Sequence, residues 1–358
     1  ILGVIKAGGL FVPLDAGYPA ERLRHMLADS NASVAIAEPR PFAALAADGL
    51  PAGLTDVVFA GETWATDKGT GDTRAGVQPS VDRHPDVRVH TAAELAERSE
   101  ANPPVANQPT DPLYMLYTSG STGLPKGAVV RHDGALNHIW AEARQLQLDA
   151  GTAILQSAPA SSDISVWQCL GPLVLGSRVV IADFETVCAP GELFDLIRNQ
   201  RVSLVELVPI VLDGLLNELA ERPAEARALP DLRVAMVTGE AVSPALVARW
   251  FDAWPDVPLV NAYGPTEAAD DICQALLRGP LPEAQMVVPI GTPVDNMSVT
   301  ILDRMLDLQP IGVPGEICVS GVGVGAGYWH QPERTVEAFV PNPFAGVTFG
   351  DTLYRTGD

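Results

Sequence analysis

Basic residues are scarce in this sequence. Its 358 residues include 23 lysines and arginines against 44 aspartates and glutamates, which gives a formal net charge of −21 at pH 7. A nucleic-acid-binding surface needs a basic face, so the composition argues against nucleic acid as a partner. The same acidity repels a polyanionic small molecule at long range, so a site for such a molecule requires local cations.

Cysteines are few and widely spaced. The four of them, Cys169, Cys188, Cys273 and Cys318, lie too far apart in the sequence to match a zinc-binding pattern. We expect them to be buried, reduced thiols. Such usage is typical of a reducing compartment and predicts a cytoplasmic location.

Long apolar runs are also lacking. The most apolar stretch, residues 202–216, is interrupted by Glu206, Pro209 and Asp213, so it falls short of the roughly 18 residues that a membrane helix needs. The apolar start of the sequence has no basic lead-in and runs straight into Lys6 and a glycine pair, unlike a signal peptide. We therefore expect no membrane partner.

Apolar periodicity predicts helices and strands that alternate along most of the sequence. Helices are expected at residues 20–29, 192–200 and from Ser243-Pro244, and strands at 34–37, 202–208 and 232–237. Thr91 and Glu94 have the spacing of a capping box, which predicts a helix to about residue 98. The alternation predicts an α/β fold of two βαβ-type layered subdomains with mixed or parallel sheets.

The pattern changes after Pro289. Short strand-like segments at 299–302 and 316–319, separated by Asp, Gly and Pro, predict an antiparallel or partial β-barrel-like piece at the C-terminal end. Residues 61–85 are rich in Gly, Thr, Asp and Pro and predict a mobile surface excursion. The expected division is a first α/β subdomain over 1–110, truncated at its N-terminus, a second α/β region over 111–285 and a β-rich segment over 286–358.

A loop rich in glycine and hydroxyl residues, 117–127, follows a short apolar strand. Its glycines permit close backbone approach, its hydroxyls are donors, and Lys126 supplies a positive charge for phosphate oxygens. It is not a Walker A loop, because Pro125 precedes the lysine and Gly127 follows it. The residues expected to wrap a phosphate chain are Thr118, Ser119, Gly120, Ser121, Thr122, Gly123 and Lys126.

A second polar segment, 261–267, follows the strand-like pair Leu259-Val260. Ligands of parallel sheets lie beyond the carboxyl ends of the strands, which is where Tyr263, Thr266 and Glu267 would then be found. Tyr-Gly-Pro-Thr by itself is also consistent with a simple turn. The carboxylate at fixed spacing, together with the upstream loop, favours a binding site.

The sequence resembles the adenylate-forming enzymes, and within them the amino-acid-activating adenylation domains of nonribosomal peptide synthetases. Six segments are similar to that family's second to seventh core motifs, in the family's order: 6–23, 117–127, 163–167, 261–267, 315–328 and 354–358. The family's first motif would precede Ile1, and its eighth and tenth would follow Asp358. We therefore expect a fragment. Ser162 stands where the family usually has an aromatic residue.

The resemblance implies a nucleotide site for ATP and Mg²⁺. Lys126 and Thr266 would bind phosphate oxygens, and Glu267 would be the Mg²⁺ ligand. Tyr263 would offer a face to the purine, the Gly239-Glu240 segment would border the adenine, and Asp358 would accept hydrogen bonds from the ribose hydroxyls. Lys126, Thr266 and Glu267 are accordingly the expected catalytic residues.

The implied reaction is attack of a carboxylate on the α-phosphate of ATP, which yields an acyl adenylate and pyrophosphate. A thioester then forms on the phosphopantetheine arm of a peptidyl carrier protein domain. Catalysis would consist of positioning and charge stabilisation. In the family, the main catalytic cation is a lysine of a small C-terminal adenylation subdomain. Without it we expect residues 1–358 to form adenylate at least roughly a hundredfold more slowly. A neighbouring condensation domain is a further expected partner.

The resemblance also implies an amino-acid pocket. Its expected residues are Asp163, Ile164, Trp167, Ile210, Met236, Thr238, Ala262, Asp270 and Asp271. Asp163 would pair with the α-ammonium group, and Asp270 and Asp271 would face the side chain, where a buried unpaired charge is costly. We expect a small or medium amino acid with a side-chain amine, such as 2,4-diaminobutyrate or ornithine, and a hydroxyl amino acid second. The alternative is that one or both aspartates point to solvent.

Two other functions stay open. An aryl- or acyl-coenzyme A ligase shares the phosphate loop but lacks an aspartate placed like Asp163. A non-catalytic remnant of an adenylation domain is the second alternative, with Ser162 as its best support. His132 and His138 are expected to have surface or capping roles, because no acidic partner was recognised at the helical spacing of metal ligands.

Overall fold

The computed structural model describes residues 1–47, 49–60, 86–119, 125–223 and 226–358. The predicted excursion at 61–85 lies outside the described residues, as do Gly120, Ser121, Thr122 and Gly123 of the phosphate loop. The chain divides into two compact units, one of residues 1–106 with 119–127 and one of residues 107–118 with 128–358. The predicted boundaries between the three subdomains stay predictions.

The first unit contains a parallel sheet of three strands flanked by helices. Its elements are α1 (Leu2–Lys6), α2 (Ala20–Asp29), β1 (Val34–Ala37), α3 (Pro39–Ala46), β2 (Asp56–Phe59), β3 (Arg88–His90) and α4 (Ala92–Ala96). The sheet order is β1-β2-β3. Leu27, Phe42 and Val57 form its core. The capping box of Thr91 and Glu94 is confirmed, although α4 ends at Ala96, earlier than predicted.

The second unit carries the remaining elements. In chain order they are β4 (Pro112–Thr118), β5 (Lys126–Arg131), α5 (His132–Gln145), β6 (Ala153–Gln156), α6 (Asp163–Leu175), β7 (Arg178–Ile181), α7 (Phe184–Cys188), α8 (Pro190–Asn199), β8 (Leu204–Leu207), α9 (Pro209–Glu221), β9 (Val234–Val237), α10 (Pro244–Ala253), β10 (Leu259–Tyr263), β11 (Cys273–Leu277), β12 (Thr292–Pro293), β13 (Met297–Leu302), β14 (Glu316–Gly321), β15 (Gly327–Tyr328), α11 (Pro332–Ala338), β16 (Phe339–Pro341) and β17 (Thr352–Arg355). Each predicted helix and strand in this unit is present, with ends shifted by a few residues.

A seven-stranded mixed sheet forms the centre of the second unit. Its order is β12-β11-β10-β9-β8-β6-β7, and the strands from β10 to β7 pair in parallel. Both β8 and β9 are buried along their whole length, as expected of parallel strands covered on both faces. Ser243 caps α10 by accepting a hydrogen bond from the Leu246 amide, and Pro244 opens the helix. The predicted α/β class with mixed and parallel sheets is therefore confirmed.

The C-terminal segment contains an antiparallel sheet of the order β13-β14-β17-β16. In the described residues it does not close into a barrel, so the prediction holds for its antiparallel character only. A further small sheet has the order β15-β5-β4. All four cysteines are free thiols, but Cys188 is exposed, which corrects the expectation that all would be buried. Within the described ranges, no helix has both the length and the apolarity to cross a bilayer.

Candidate functional site

The predicted pocket residues of the second unit gather around the carboxyl ends of the parallel strands. Met236 is fully buried in β9, Thr238 follows that strand, and Ala262 is buried in β10. Asp163 and Ile164 open α6 and are half-buried. These positions are far apart in the sequence, and the parallel sheet aligns the ends of its strands at one edge.

Asp163 is held in place at the first turn of α6. Its Oδ1 accepts hydrogen bonds from the Ile164 amide at 3.1 Å and from the Ser162 hydroxyl at 3.3 Å. Ser162, the departure from the family pattern, thus supports the carboxylate directly. A small cavity of about 10 Å³ is lined by residues that include Asp163, Trp167 and Asp270.

Glu206, in β8, is a pocket residue that sequence reasoning missed. It is 1% exposed, and its Oε2 accepts a 2.6 Å hydrogen bond from the Trp167 indole. Ile210, which was assigned to the pocket, is instead 69% exposed at the start of α9. The structure therefore does not place Ile210 with the other pocket residues. A lone glutamate inside an otherwise apolar strand, Leu204 to Leu207, was the signal that could have identified Glu206.

Asp270 and Asp271 are both buried, which excludes the alternative that they point to solvent. They are 4% and 2% exposed, and Thr238 donates to Asp271 Oδ1 at 3.3 Å. The turn at Gly264 crosses directly over them, because a Cβ there would lie 1.7 Å from the Asp270 carbonyl oxygen. Asp270 itself has a φ of 76°, in the left-handed region that Asp tolerates better than most residues. A glycine-dependent close approach thus fixes the two carboxylates.

His138 and Glu142, one turn apart on α5, are buried together with these aspartates. They are 3% and 0% exposed, and His138 Nε2 lies 3.2 Å from Glu142 Oε1. His138 Nδ1 lies 3.8 Å from Asp270 Oδ2. The expectation of a surface or capping role for His138 is therefore wrong. Glu142 was its acidic partner at helical spacing, and the sequence search overlooked it.

The buried carboxyls shift one another's pKa values. Burial, and then the charge of Glu142, raises the pKa of Asp271 to about 7. Burial also raises the pKa values of Glu206 and Asp270, and neighbouring carboxylates add to the effect. Burial alone would lower the pKa of His138, but its close contact with Glu142 and the surrounding negative charge outweigh burial and raise it. Asp270, Asp271, Glu206 and His138 therefore hold their protons more tightly than they would in water.

This charge cluster predicts a pH-dependent stability. The pKa of Asp271 is about 7 in the folded protein and 3.8 for an ordinary aspartate. Between these two pH values the folded state binds more protons than the unfolded state. The free energy of unfolding should therefore fall as the pH rises from about 5 to about 7, and less steeply in Asp271→Asn. Denaturant unfolding of the unliganded protein at several pH values measures both slopes. Parallel curves for the two proteins would contradict the expected role of Asp271.

The predicted nucleotide residues of the second unit also converge. The Tyr263 hydroxyl donates to Asp358 Oδ2 at 2.5 Å, across 95 positions of sequence. Glu267 lies in a 3-10 turn, Thr266–Ala268, is 5% exposed, and accepts a 2.8 Å hydrogen bond from the Tyr328 hydroxyl. The ring of Tyr263, the exposed carboxylate of Asp358 and the buried carboxylate of Glu267 thus lie near the end of β10. A carboxylate is the hard oxygen donor that Mg²⁺ prefers, so Glu267 fits a magnesium ligand.

The other predicted nucleotide residues are placed individually. Gly239, two residues after β9, has a φ of 86°, and Glu240 after it is exposed. Thr118 ends β4 and Ser119 follows it, while Lys126 begins β5. Gly120, Ser121, Thr122 and Gly123 lie outside the described residues, so their predicted contact with phosphate stays a prediction.

Comparisons with known proteins extend over the whole chain. A model of the family described as AMP-binding enzyme matches residues 1–329. Tyrocidine synthase 3 of Brevibacillus parabrevis is 33% identical over 360 residues, which cover 100% of this chain and 5% of that protein. Bacitracin synthase 3 of Bacillus licheniformis is 32% identical over 364 residues, covering 100% of this chain and 5% of that protein. The chain thus spans a small part of the length of these relatives.

Solved structures share the fold. A crystal structure of the nonribosomal peptide synthetase FmoA3 superimposes with a TM-score of 0.81 at 28% identity, covering 99% of this chain and 33% of that one. The Vibrio cholerae adenylation domain AlmE superimposes with a TM-score of 0.78 at 22% identity and covers 99% of this chain and 63% of that one, which shows likeness of fold alone. Because the family model spans most of the sequence, the chain belongs to the family of AMP-binding enzymes.

Proposed function

We propose that this chain activates an amino acid with a cationic side chain as its aminoacyl adenylate, for loading onto a carrier protein in nonribosomal peptide synthesis. The buried acidic cluster carries the substrate part of this proposal, because Glu206, Asp270 and Asp271 are at most 4% exposed and Asp270 lines a cavity with Asp163. Carboxylates buried together destabilise the empty pocket unless they are protonated or paired with a cation. A side-chain ammonium group supplies that cation.

The relatives support the reaction class. The synthetase relatives are named for peptides, tyrocidine and bacitracin. FmoA3 has been solved with AMPPNP and with α-methyl-L-serine-AMP, which are an ATP analogue and an aminoacyl adenylate. By analogy, ATP would bind along Tyr263 and Asp358.

The residues of this chain would act by positioning. Asp163 would hold the α-ammonium group so that the substrate carboxylate faces the α-phosphorus, where a new P–O bond forms as pyrophosphate leaves. Lys126 and Thr266 would stabilise the negative charge that develops on the phosphate oxygens. Glu267 would hold Mg²⁺, which neutralises phosphate charge when bound.

Several parts of the proposal reach beyond the chain itself. The thioester would form on the phosphopantetheine thiol of a peptidyl carrier protein, with a C-terminal adenylation subdomain and a condensation domain as neighbours. A cytoplasmic location stays a prediction from cysteine usage. A coenzyme A ligase remains the second candidate, but the acidic cluster beside Asp163 favours an amino acid over a fatty or aryl acid.

A panel of amino acids tests the proposal in the full-length protein. ATP–pyrophosphate exchange should be strongest with ornithine or 2,4-diaminobutyrate and at least about tenfold weaker with norleucine or norvaline, their uncharged isosteres. Charge is the main difference within each pair, so the ratio of the two exchange rates measures how strongly the pocket prefers a cationic side chain. Dominant exchange with leucine or phenylalanine would refute the cationic substrate, and exchange that needs a fatty or aryl acid would favour the second candidate.

A further inference from the structure

The far side of the acidic pocket is formed by α5, which the sequence reasoning left out of the site. Glu142, on this helix, is fully buried, and Gln274 of β11 donates to its Oε1. One potential ligand atom from each of His138, Glu142 and Asp271 lies within 4.8 Å of the other two. Three side chains from α5 and from the loop before β11 therefore meet at one point.

Asp271, Glu142 and Glu206 each accept hydrogen bonds through one carboxylate oxygen. Asp271 uses Oδ1 to accept from Thr238, Glu142 uses Oε1 to accept from Gln274, and Glu206 uses Oε2 to accept from Trp167. Their remaining oxygens, Asp271 Oδ2, Glu142 Oε2 and Glu206 Oε1, are buried and have no protein donor among the described residues. Buried acceptors of this kind call for a donor, and a charged donor gains most.

The charge balance points the same way. Neighbouring carboxylates raise the pKa values of both Asp270 and Glu206, and Asp270 has His138 within 3.8 Å as its cationic neighbour. His138 is the cationic group that acts on Asp271. One imidazole does not balance this many buried carboxyls, so the cluster favours a further cation.

We propose that Glu142 is a further specificity-determining residue, which binds the terminal ammonium of the substrate side chain together with Asp271. This inference rests on the proposed function. A nitrogen at about 2.8 Å from each of two oxygens allows them to be up to about 5.6 Å apart, and the spacing of Glu142 and Asp271 falls within that limit. Hydrogen bonds from Gln274 and Thr238 orient the two carboxylates, and one oxygen of each binds the ammonium group.

The same donor set could hold a free divalent metal ion, since imidazole and carboxylate are metal ligands. Whether the occupant is an ammonium group or a metal ion, a cation would lie between buried carboxylates. Two observations favour the substrate ammonium: Asp271 follows Asp270, which lines one cavity with Asp163, and the charges of Asp271 and Glu206 interact. A structural metal ion would need its three ligands but not these further acidic residues.

The test compares Glu142→Gln with wild type in the full-length protein, using ornithine and its isostere norleucine in ATP–pyrophosphate exchange. We expect kcat/KM for ornithine to fall about thirtyfold or more, while norleucine is unchanged or improves. Glu142→Asp should recover part of the ornithine activity. Glu185→Gln, an exposed change on α7, is the control and should leave both substrates unaffected.

Each other outcome overturns a defined statement. An equal loss for both substrates, with a lowered melting temperature and no recovery in Glu142→Asp, would mean a purely structural role. Retained ornithine preference in Glu142→Gln would refute the role of Glu142 and leave the proposed function intact, whereas a wild-type preference for norleucine would refute both. Stoichiometric Zn²⁺ or Mn²⁺ in wild type, lost in Glu142→Gln with the ornithine-to-norleucine ratio unchanged, would assign the site to a metal.

Discussion

Replacing Glu267 with alanine is expected to lower ATP–pyrophosphate exchange by at least about a hundredfold with any amino acid. Glu267 is buried at the end of β10 and is the carboxylate proposed to hold Mg²⁺ against the phosphates. Its loss would leave the developing phosphate charge without the metal ion proposed to neutralise part of it. Lys126→Ala should have a similar effect through the missing ammonium charge.

The Glu267 result needs a control for its hydrogen bond. Tyr328 donates to Glu267 at 2.8 Å, so Glu267→Ala also removes a buried contact. Tyr328→Phe removes the hydroxyl and leaves the carboxylate, and it should retain most of the exchange activity if metal binding is the role of Glu267. Increasing the Mg²⁺ concentration should partly restore an aspartate variant at this position and not the alanine variant. Near wild-type exchange in Glu267→Ala would contradict the assignment of the phosphate site.

Replacing Asp163 with asparagine is the second change with a large expected effect. Asp163 is fixed by the Ile164 amide and the Ser162 hydroxyl, so its carboxylate is already oriented for an ammonium group. Loss of one partner of such a pair costs about 2–5 kcal/mol, and kcat/KM for the amino acid should fall about thirtyfold or more. Initial rates of exchange at low substrate concentration measure this loss.

An analogue of the substrate without the α-amino group makes the Asp163 test specific. Wild type should prefer the amino acid to this analogue, and Asp163→Asn should lose that preference while using the analogue about as well as wild type does. Asp183→Asn, an exposed helix cap, is the control. If Asp163→Asn lowered activity equally for both compounds, the α-ammonium assignment would be wrong.

The sequence predicted much of the fold because its local signals agree with the tertiary structure. The capping box at Thr91 and the Ser243-Pro244 helix start depend on atoms within one helical turn, and both are present. Buried strands such as β8 and β9 are largely apolar runs, so their existence could be predicted, whereas their ends shifted by a residue or two. Helix and strand ends depend on capping and packing that local patterns describe poorly.

The site was harder to predict than the fold. Glu206 was taken as an interruption of an apolar stretch, and Ile210, four positions later, was assigned to the pocket in its place. The strand β8 buries Glu206, while α9 turns Ile210 into solvent at 69% exposure. His138 was expected at the surface because Glu142, one helical turn later, was overlooked as its acidic partner. Only the packing of α5 against the pocket makes them buried.

By itself, the sequence determined the family and the α/β class, and it predicted the residue types for phosphate, ribose and ammonium binding. These features can be recognised in short segments, such as 261–267, in which the relevant residue types lie close together in the sequence. The tertiary structure decided which side chains share the pocket, because Glu142, Glu206 and Asp271 come from three separate elements. Their meeting depends on parallel strands that end at one edge and on a turn at Gly264 that no residue with a Cβ could make without moving the backbone.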